Sequence, residues 1–335
     1  MVKKNNYFCT YLSNMPESNL LYQEFLSVIR KKISNKTKLA NTVTELLDID
    51  KDAVYRRLRD EVHFSFAEIA VIARNLGISL DRIAGIENNQ SRPAQMNISK
   101  QVNPTEVDYE MFEGHVHVLK SIRDEPGTMI MEAANFLPHY LYQDYEYLSR
   151  YYMFRWNQTG HFGNALPYHE ITIPERLRIL QKETCEYARE VSSTLYVLNY
   201  RIFKNLVNNI QYFVKIRLIC EEELSLIKND LMNFLEYLEN VAIKEKYEET
   251  GKEVSIFISD IATDSNYSCL KTENMHLTLF RAFILNAMVT FDIQVFEATT
   301  AWIRSLQRMS TLISGSSAKF RTLFFEKQRK IVQTL

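Results

Sequence analysis

The chain has 335 residues, which is enough for about two domains of ordinary size. Apolar residues make up 46% of it and charged residues 24%, a balance that lets most of the chain bury a core and excludes extensive disorder. The formal net charge of −1 excludes a globally basic nucleic-acid binder, so any surface for DNA or RNA must be local.

The cysteines and the apolar stretches indicate the cellular compartment of the protein. Four cysteines lie far apart in the sequence without a paired C-x-x-C spacing, so we expect neither a zinc site nor a disulfide framework. No stretch of about eighteen apolar residues occurs, and the amino terminus does not have the pattern of a secretion signal. We therefore predict a cytoplasmic protein with no membrane partner.

The first part of the chain predicts five short helices in succession. Apolar residues recur at spacings of three and four over 20–33, and again over 39–47. Ser65 and Glu68 have the spacing of a capping box that opens a fourth helix, and Gly77 is its natural end. The apolar face predicted for this helix consists of Phe66, Ile69, Ala70, Ile72, Ala73 and Leu76. A fifth helix is predicted over 80–84, after Ser79 as its cap.

The third helix, predicted over 51–59, carries the strongest functional signal. Asp50 is a good N-cap residue, and Val54 and Leu58 lie one turn apart, so both are predicted to point into the core. At 100° per residue the opposite face then carries Asp52, Arg56 and Arg59, flanked by Ala53 and Tyr55. This face is free to meet a nucleic-acid groove.

The residues 52–59, which read Asp-Ala-Val-Tyr-Arg-Arg-Leu-Arg, and the stretch 64–81 resemble the phage-repressor and Cro-like helix-turn-helix superfamily. The resemblance covers about a fifth of the chain and is closest to the BetR-type branch. It implies a DNA-binding domain over 18–88 and a role in transcription control.

Two positions depart from the superfamily pattern: Thr44 stands where a small residue is common, and Asp48 stands where glycine often opens the turn. An apolar residue is usual three after Val54, but Arg57 stands there, which leaves the register of the turn open by one or two residues.

The predicted partner is double-stranded DNA, and the candidate contacts follow from the chemistry of each side chain. Arginine forks suit guanine edges in the major groove, so Arg56 is the first candidate for base readout. Asp52 either accepts from a cytosine amino group or orients Arg56. The other candidate DNA-binding residues, mainly for phosphates, are Lys36, Lys38, Lys51, Tyr55, Arg57 and Arg59.

A polar segment over 89–104 is predicted to be a linker, and the residues 105–335 form the second domain. Alternating β-branched and aromatic residues predict strands over 128–132, 194–198, 254–258 and 267–270, among long helices. The sequence therefore predicts a mainly α chain, in which a five-helix domain precedes a larger helix-rich α+β domain with a small antiparallel sheet.

Other candidate sites in the second domain have weaker support. Glu113, His115 and His117 would share a face only on a strand, and we expect a helix there, so no metal site is predicted. His161 and His169 lie in a predicted loop, where a ligand role is less common than a surface role. Eight aromatic residues over 140–156 suit core packing or a dimer interface better than an effector pocket. The serine-rich stretch 310–317 suits a break between helices better than an anion site.

No phosphate loop, nucleophile elbow or H-E-x-x-H motif occurs, so we predict no enzyme activity and no cofactor. The leading hypothesis is a sequence-specific DNA-binding regulator whose second domain forms a homodimer. Whether this domain also binds a small-molecule or protein effector is left open by the sequence. One alternative is a protein-interaction adaptor that keeps the helical fold without DNA binding. A weaker alternative is an enzyme or ligand-binding protein with an accessory DNA module. The charge of the exposed face discriminates between the DNA-binding regulator and the adaptor. If acidic residues such as Asp52, Asp60 and Glu61 neutralise the arginines there, the adaptor is favoured.

Overall fold

The computed structural model describes residues 17–78, 80–83, 92, 94–123, 125–160 and 166–335. The chain divides into two compact units, Met1–Pro93 and Ala94–Leu335. In the first unit the helices are α1 (Glu17–Lys32), α2 (Lys36–Leu47), α3 (Lys51–Leu58), α4 (Phe66–Leu76) and α5 (Leu80–Ile83). These helices occupy the segments in which the apolar spacing predicts them. Ser79 and Ala84, the predicted cap and end of the fifth helix, lie outside the described residues.

The first unit has its own core beneath α3. Leu26 and Ile29 of α1, Val43 of α2 and Val54 of α3 are fully buried and belong to one apolar cluster. Phe64 enters the same cluster from the segment before α4. The helices α1 to α4 therefore each bury one stripe and leave their polar side to solvent, as expected for amphipathic helices.

The second unit contains strands as well as helices. Its strands are β1 (Gln95–Asn97), β2 (Met129–Ala134), β3 (Ser193–Asn199), β4 (Glu253–Ser259), β5 (Tyr267–Lys271), β6 (His276–Ala282), β7 (Asn286–Thr290) and β8 (Thr311–Leu312). Its helices are α6 (Glu106–Ile122), α7 (His139–Tyr142), α8 (Glu146–Gly160), α9 (Glu175–Arg189), α10 (Ile202–Lys215), α11 (Glu221–Lys244), α12 (Ile293–Arg308) and α13 (Ala318–Gln333), with a 3-10 turn at Tyr168–Glu170.

In the described residues the strands form one mixed, eight-stranded sheet in the order β1-β7-β6-β5-β2-β3-β4-β8. The expected small antiparallel sheet in a mainly α chain is therefore wrong, and the second unit is a mixed α/β domain. β2, β3 and β4 run parallel, with Thr194 opposite both Ile130 and Val254. The cause is the connections: helices α7 to α9 cross over between β2 and β3, and α10 and α11 cross over between β3 and β4.

Helices cover both faces of the sheet. On one face, Phe296, Ile303 and Leu306 of α12 pack against Met131 and Val197. On the other face lie α6 and the crossover helices, whose apolar residues form the largest core of the chain. Successive residues of β2 therefore enter different cores, which is why this strand reads as an almost continuous apolar run.

The segment predicted as a linker has structure at its carboxyl-terminal end. β1 pairs with β7 in antiparallel orientation, and the Ser99 amide donates to Asn286 Oδ1 at 3.1 Å. The boundary between the units falls at Pro93 and Ala94, inside the predicted linker of 89–104. In the part of the chain that the structure describes, no helix has the length and apolarity needed to cross a bilayer.

Candidate nucleic-acid interface

A three-residue turn joins α2 to α3. Asp48 follows the last residue of α2 in the left-handed region, with φ 50° and ψ 48°, and α3 begins at Lys51. Aspartate is one of the few non-glycine residues that adopt this conformation readily, so the turn does not require a glycine here. Ile49 packs against the core within the turn. Two helices joined in this way have the connection of a helix-turn-helix unit.

The beginning of α2 presents two lysines at a capped helix amino terminus. Asn35 caps the helix, and its Oδ1 accepts from the amides of Thr37 and Lys38 at 3.0 Å each. Lys36 and Lys38 are exposed in this first turn. Because a helix amino terminus carries a partial positive charge, this end of α2 attracts anions such as phosphates.

The two faces of α3 differ as the sequence predicts. Val54 and Leu58 are buried. Lys51, Asp52, Arg56 and Arg59 are exposed, whereas Tyr55 is partly buried and packs against the core. An exposed side with two arginines and one carboxylate, fixed by an apolar side beneath it, can meet base edges and phosphates at the same time.

Arg57 is engaged inside the unit. Its Nη2 lies 3.0 Å from Glu68 Oε1, and its side chain is 21% exposed. Burial raises the pKa of the Glu68 carboxyl, but hydrogen bonds from Ser65 and Arg57 outweigh it and hold that pKa below its ordinary value. The guanidinium also lies over the Phe64 ring, 5.9 Å from its centroid. This arginine therefore ties α3 to α4, and its predicted phosphate contact would compete with Glu68.

Two residues of α1 hold the end of α3 and the segment before α4, and sequence reasoning missed both. The Nη2 atom of Arg30 donates to the carbonyl of Leu58 at 2.5 Å, which satisfies a free carbonyl at the end of α3. The hydroxyl of Tyr22 accepts from the Phe64 amide at 3.0 Å. The two residues of each contact are 28 and 42 positions apart in the sequence, so no local sequence pattern predicts these contacts.

Acidic residues partly neutralise the exposed arginines. Glu61 lies 2.7 Å from Arg59 Nε and 3.9 Å from Arg56 Nε. Asp60 pairs with His63 at 3.1 Å. Over 17–83 the sequence has eleven Lys and Arg residues against ten Asp and Glu residues, a surplus of one positive charge. Exposed pairs of this kind contribute about 0.2–1 kcal/mol each, so a phosphate can displace Glu61 at small cost.

The apolar face predicted for α4 is wrong at its first residue. Phe66 is 80% exposed, whereas Phe64, two residues earlier, is buried. The reason is the cap: Ser65 is the N-cap of α4, and Phe64 before it and Ile69 in the next turn pack in one cluster, as in a hydrophobic staple. Phe66 then points to solvent at the first helical position.

The weaker candidates in the second unit do not assemble into a site. Glu113, His115 and His117 lie on α6, where residues two apart diverge, and Glu113 pairs with Arg176 at 2.7 Å. Among the residues that the structure describes, no three His, Cys, Asp or Glu side chains have a metal-binding arrangement. His169 is exposed, 3.8 Å from the carboxylate of Glu170, and His161 lies outside the described residues.

The aromatic segment contributes mainly to the core. Tyr151, Tyr152 and Phe154 of α8 are fully buried in the largest apolar cluster. The serine-rich stretch 310–317 joins α12 to α13, as expected for a break, and Ser314 Oγ accepts from the Ile256 amide at 2.7 Å.

A buried polar cluster lies between β2 and β6, and sequence reasoning missed it. Glu132 is fully buried on β2, and its Oε1 accepts from Asn266 Nδ2 at 3.0 Å. Its Oε2 has no hydrogen-bond partner in the described structure. Burial raises the pKa of Glu132 to about 7, against smaller opposing effects of Arg281 and of hydrogen bonds from Ser268 and Asn266.

The chain matches no protein-family model, no curated protein and no solved structure.

Proposed function

We propose that this protein is a cytoplasmic, sequence-specific regulator of transcription that binds duplex DNA through α3, as a member of the phage-repressor and Cro-like type. One observation carries the proposal. The three-residue turn with left-handed Asp48 leads into a helix that buries Val54 and Leu58 and exposes Asp52, Arg56 and Arg59. A helix held in this way has the size and the side chains for the major groove.

The residues of the interface divide into two roles. Arg56 is 60% exposed and lies centrally on the free face, so it reads a guanine edge. Asp52, one turn earlier, either pairs with Arg56 or accepts a hydrogen bond from a cytosine amino group. Contacts to the DNA backbone are assigned to Lys36, Lys38, Lys51, Tyr55 and Arg59. Phosphate contacts set affinity and orientation, whereas base contacts set sequence preference.

Arg56→Ala is expected to weaken binding to the cognate duplex by about 1–3 kcal/mol and to leave binding to a scrambled duplex nearly unchanged. Lys36→Ala removes a phosphate contact, so it is expected to weaken both duplexes alike and to reduce the salt dependence by about one ion. Fluorescence anisotropy with both duplexes at several salt concentrations measures the two effects.

Arg74→Ala is the matched control, because Arg74 is an exposed arginine on α4, outside α2 and α3. Equal losses on cognate and scrambled duplexes from Arg56→Ala would remove Arg56 from base readout.

The proposal includes a homodimer formed by the second unit. One unit of this size reaches only a half-site, and a symmetric pair of chains supplies the second recognition helix. Large apolar side chains that the second unit leaves exposed are the candidates for this interface, and among them are Trp302, Met309, Phe320 and Leu323.

Sedimentation equilibrium of the full chain is expected to give close to twice the chain mass of 39.4 kDa. A fragment of residues 1–93, run in parallel, is expected to sediment as a monomer because most of the apolar residues described in the first unit are used in its own core. A monomeric full chain, or a fragment that dimerises, is incompatible with this arrangement.

A protein-interaction adaptor remains the second candidate, because Glu61 lies against both exposed arginines and Phe66 is exposed beside them in sequence. An adaptor would use these residues to bind a protein surface and would show no preference among duplexes in the anisotropy experiment.

A further inference from the structure

The second unit has a cavity of about 320 Å³ on one face of its sheet. The sheet side is formed by β6, β7 and β1, and the opposite side by α6, α7 and α9. A cavity of about 150 Å³ holds a benzene molecule, so this one accommodates roughly a dozen non-hydrogen atoms. The volume lies at the lower end of the usual range for small-molecule sites.

About half of the residues that line the cavity are apolar, and the others are mostly uncharged polar residues. Leu177 and Leu180 of α9 face Leu277 and Leu279 of β6 across the cavity. Because residues 277, 279 and 281 alternate with the residues on the other face of β6, Arg281 enters the same space as these two leucines.

Arg281 is the only Lys, Arg, Asp or Glu among the described residues that line the cavity. Its Nη1 donates to the carbonyl of Leu285 at 3.2 Å, and its Nη2 donates to the imidazole of His139, 2.7 Å from Nε2. No carboxylate in the described part of the chain forms an ion pair with it. A guanidinium that is only partly buried and has no carboxylate within ion-pair distance favours an anion from outside the chain.

The neighbouring groups do not cancel this charge inside the cavity. Burial lowers the pKa of His115 to about 4 and lowers that of His139, with Arg281 adding to both shifts, so both imidazoles are neutral at neutral pH. Glu132 lies near enough for Arg281 to oppose the rise of its pKa, but Glu132 does not line the cavity, and its carboxylate accepts from Asn266.

The backbone is strained where β6 turns into β7, beside the cavity. Phe283 and Ile284 have φ of 47° and 73°, in the left-handed region that β-branched residues rarely adopt. Ile284 and Leu285 both line the cavity, and the Leu285 carbonyl is the one that Arg281 holds. Strain of this kind concentrates at binding sites, so it supports a functional role for this turn.

We propose that this cavity binds a small organic acid, whose carboxylate pairs with Arg281 and whose apolar body of about eight to ten carbons lies between α9 and β6. A carboxylate fits better than a phosphate, because the described lining offers one guanidinium and no lysine, and one charge then balances one charge. The proposal stands whether or not the first unit binds DNA.

Isothermal titration of the full chain with octanoate, octanol and octylammonium tests the charge preference. Octanoate is expected to bind at least about tenfold more tightly than the other two probes. Arg281→Met is expected to reduce octanoate binding to the level of octanol and to leave octanol unchanged. Arg178→Met is the matched control, because Arg178 is an exposed arginine on α9 that pairs with Glu175 and does not line the cavity.

Gly114 gives a second test that does not depend on Arg281. It is exposed on α6 and lines the cavity, and a Cβ built on it meets no atom within 4 Å, so a side chain can begin there without a backbone shift. Gly114→Trp is expected to cover the entrance and weaken octanoate about tenfold or more, whereas Gly114→Ala is expected to bind as the wild type does.

Melting curves followed by tryptophan fluorescence establish that each variant is folded, because both tryptophans, Trp156 and Trp302, belong to the second unit. The absence of octanoate binding to the wild type, equal binding of the three probes, or full octanoate binding by folded Gly114→Trp overturns the proposal.

Discussion

Val54→Asp is expected to unfold the first unit while the second unit stays folded. Val54 is fully buried on α3 and belongs to one apolar cluster with Leu26, Ile29 and Val43. An unpaired carboxylate in such a site costs several kcal/mol, and the lost packing of the valine adds to this. A unit of fewer than a hundred residues has a total stability near the lower end of about 5–15 kcal/mol.

Hydrogen exchange of the full chain, read by peptide mass spectrometry, separates the two units. The amides of α1 to α4 are expected to exchange as in an unfolded chain, and those of β2, β3 and β4 to keep their protection. Val71→Asp is the matched control, because Val71 is 37% exposed on α4 and the new carboxylate there reaches water. If the α3 amides of Val54→Asp keep the exchange protection of the wild type, residues other than Val54 form the buried side of α3.

Glu132→Gln is expected to remove a large part of the pH dependence of the stability of the second unit. Burial raises the pKa of Glu132 from its ordinary value of 4.5 to about 7, so the folded chain holds a proton that the unfolded chain releases between these values. The contribution of Glu132 is therefore fully present below about pH 4.5 and is lost as the pH rises through 7. The loss amounts to about 3 kcal/mol.

Urea unfolding between pH 4 and pH 8, followed by tryptophan fluorescence, measures this effect in the second unit alone. The free energy of unfolding of Glu132→Gln relative to that of the wild type is expected to rise by about 3 kcal/mol over this range. Glu236→Gln is the control, because Glu236 is exposed on α11 and its substitution removes a carboxylate from the surface. Parallel pH profiles for Glu132→Gln and the wild type would show that the carboxyl of Glu132 is not desolvated as described.

Local signals predicted much of the first unit. The capping box of Ser65 and Glu68 is present, and Gly77 ends α4 with φ 59°. The spacing of Val54 and Leu58 identified the buried side of α3, because helical periodicity depends only on neighbours along the chain. Arg57 was assigned to DNA from the same spacing, and its contact with Glu68 depends on how α4 packs, which periodicity does not contain.

The topology of the second unit depends on contacts between distant residues. The four segments predicted as strands are β2 to β5, but nothing in their sequences distinguishes parallel from antiparallel pairing. The β6–β7 hairpin was missed because its turn, at Phe283 and Ile284, has none of the glycine or asparagine that usually marks a tight turn. The contact of Arg281 with His139 spans 142 residues, so the cavity has no local sequence signal at all.

Selection from a library of random DNA duplexes, with the full chain as bait, tests the central claim most directly. The wild type is expected to enrich a motif of two related half-sites, about 10 base pairs apart from centre to centre, and Arg56→Ala to lose preference at one position in each half-site. A pool that after selection has the base composition of the starting library, for a chain that hydrogen exchange shows to be folded in both units, would contradict DNA recognition by α3.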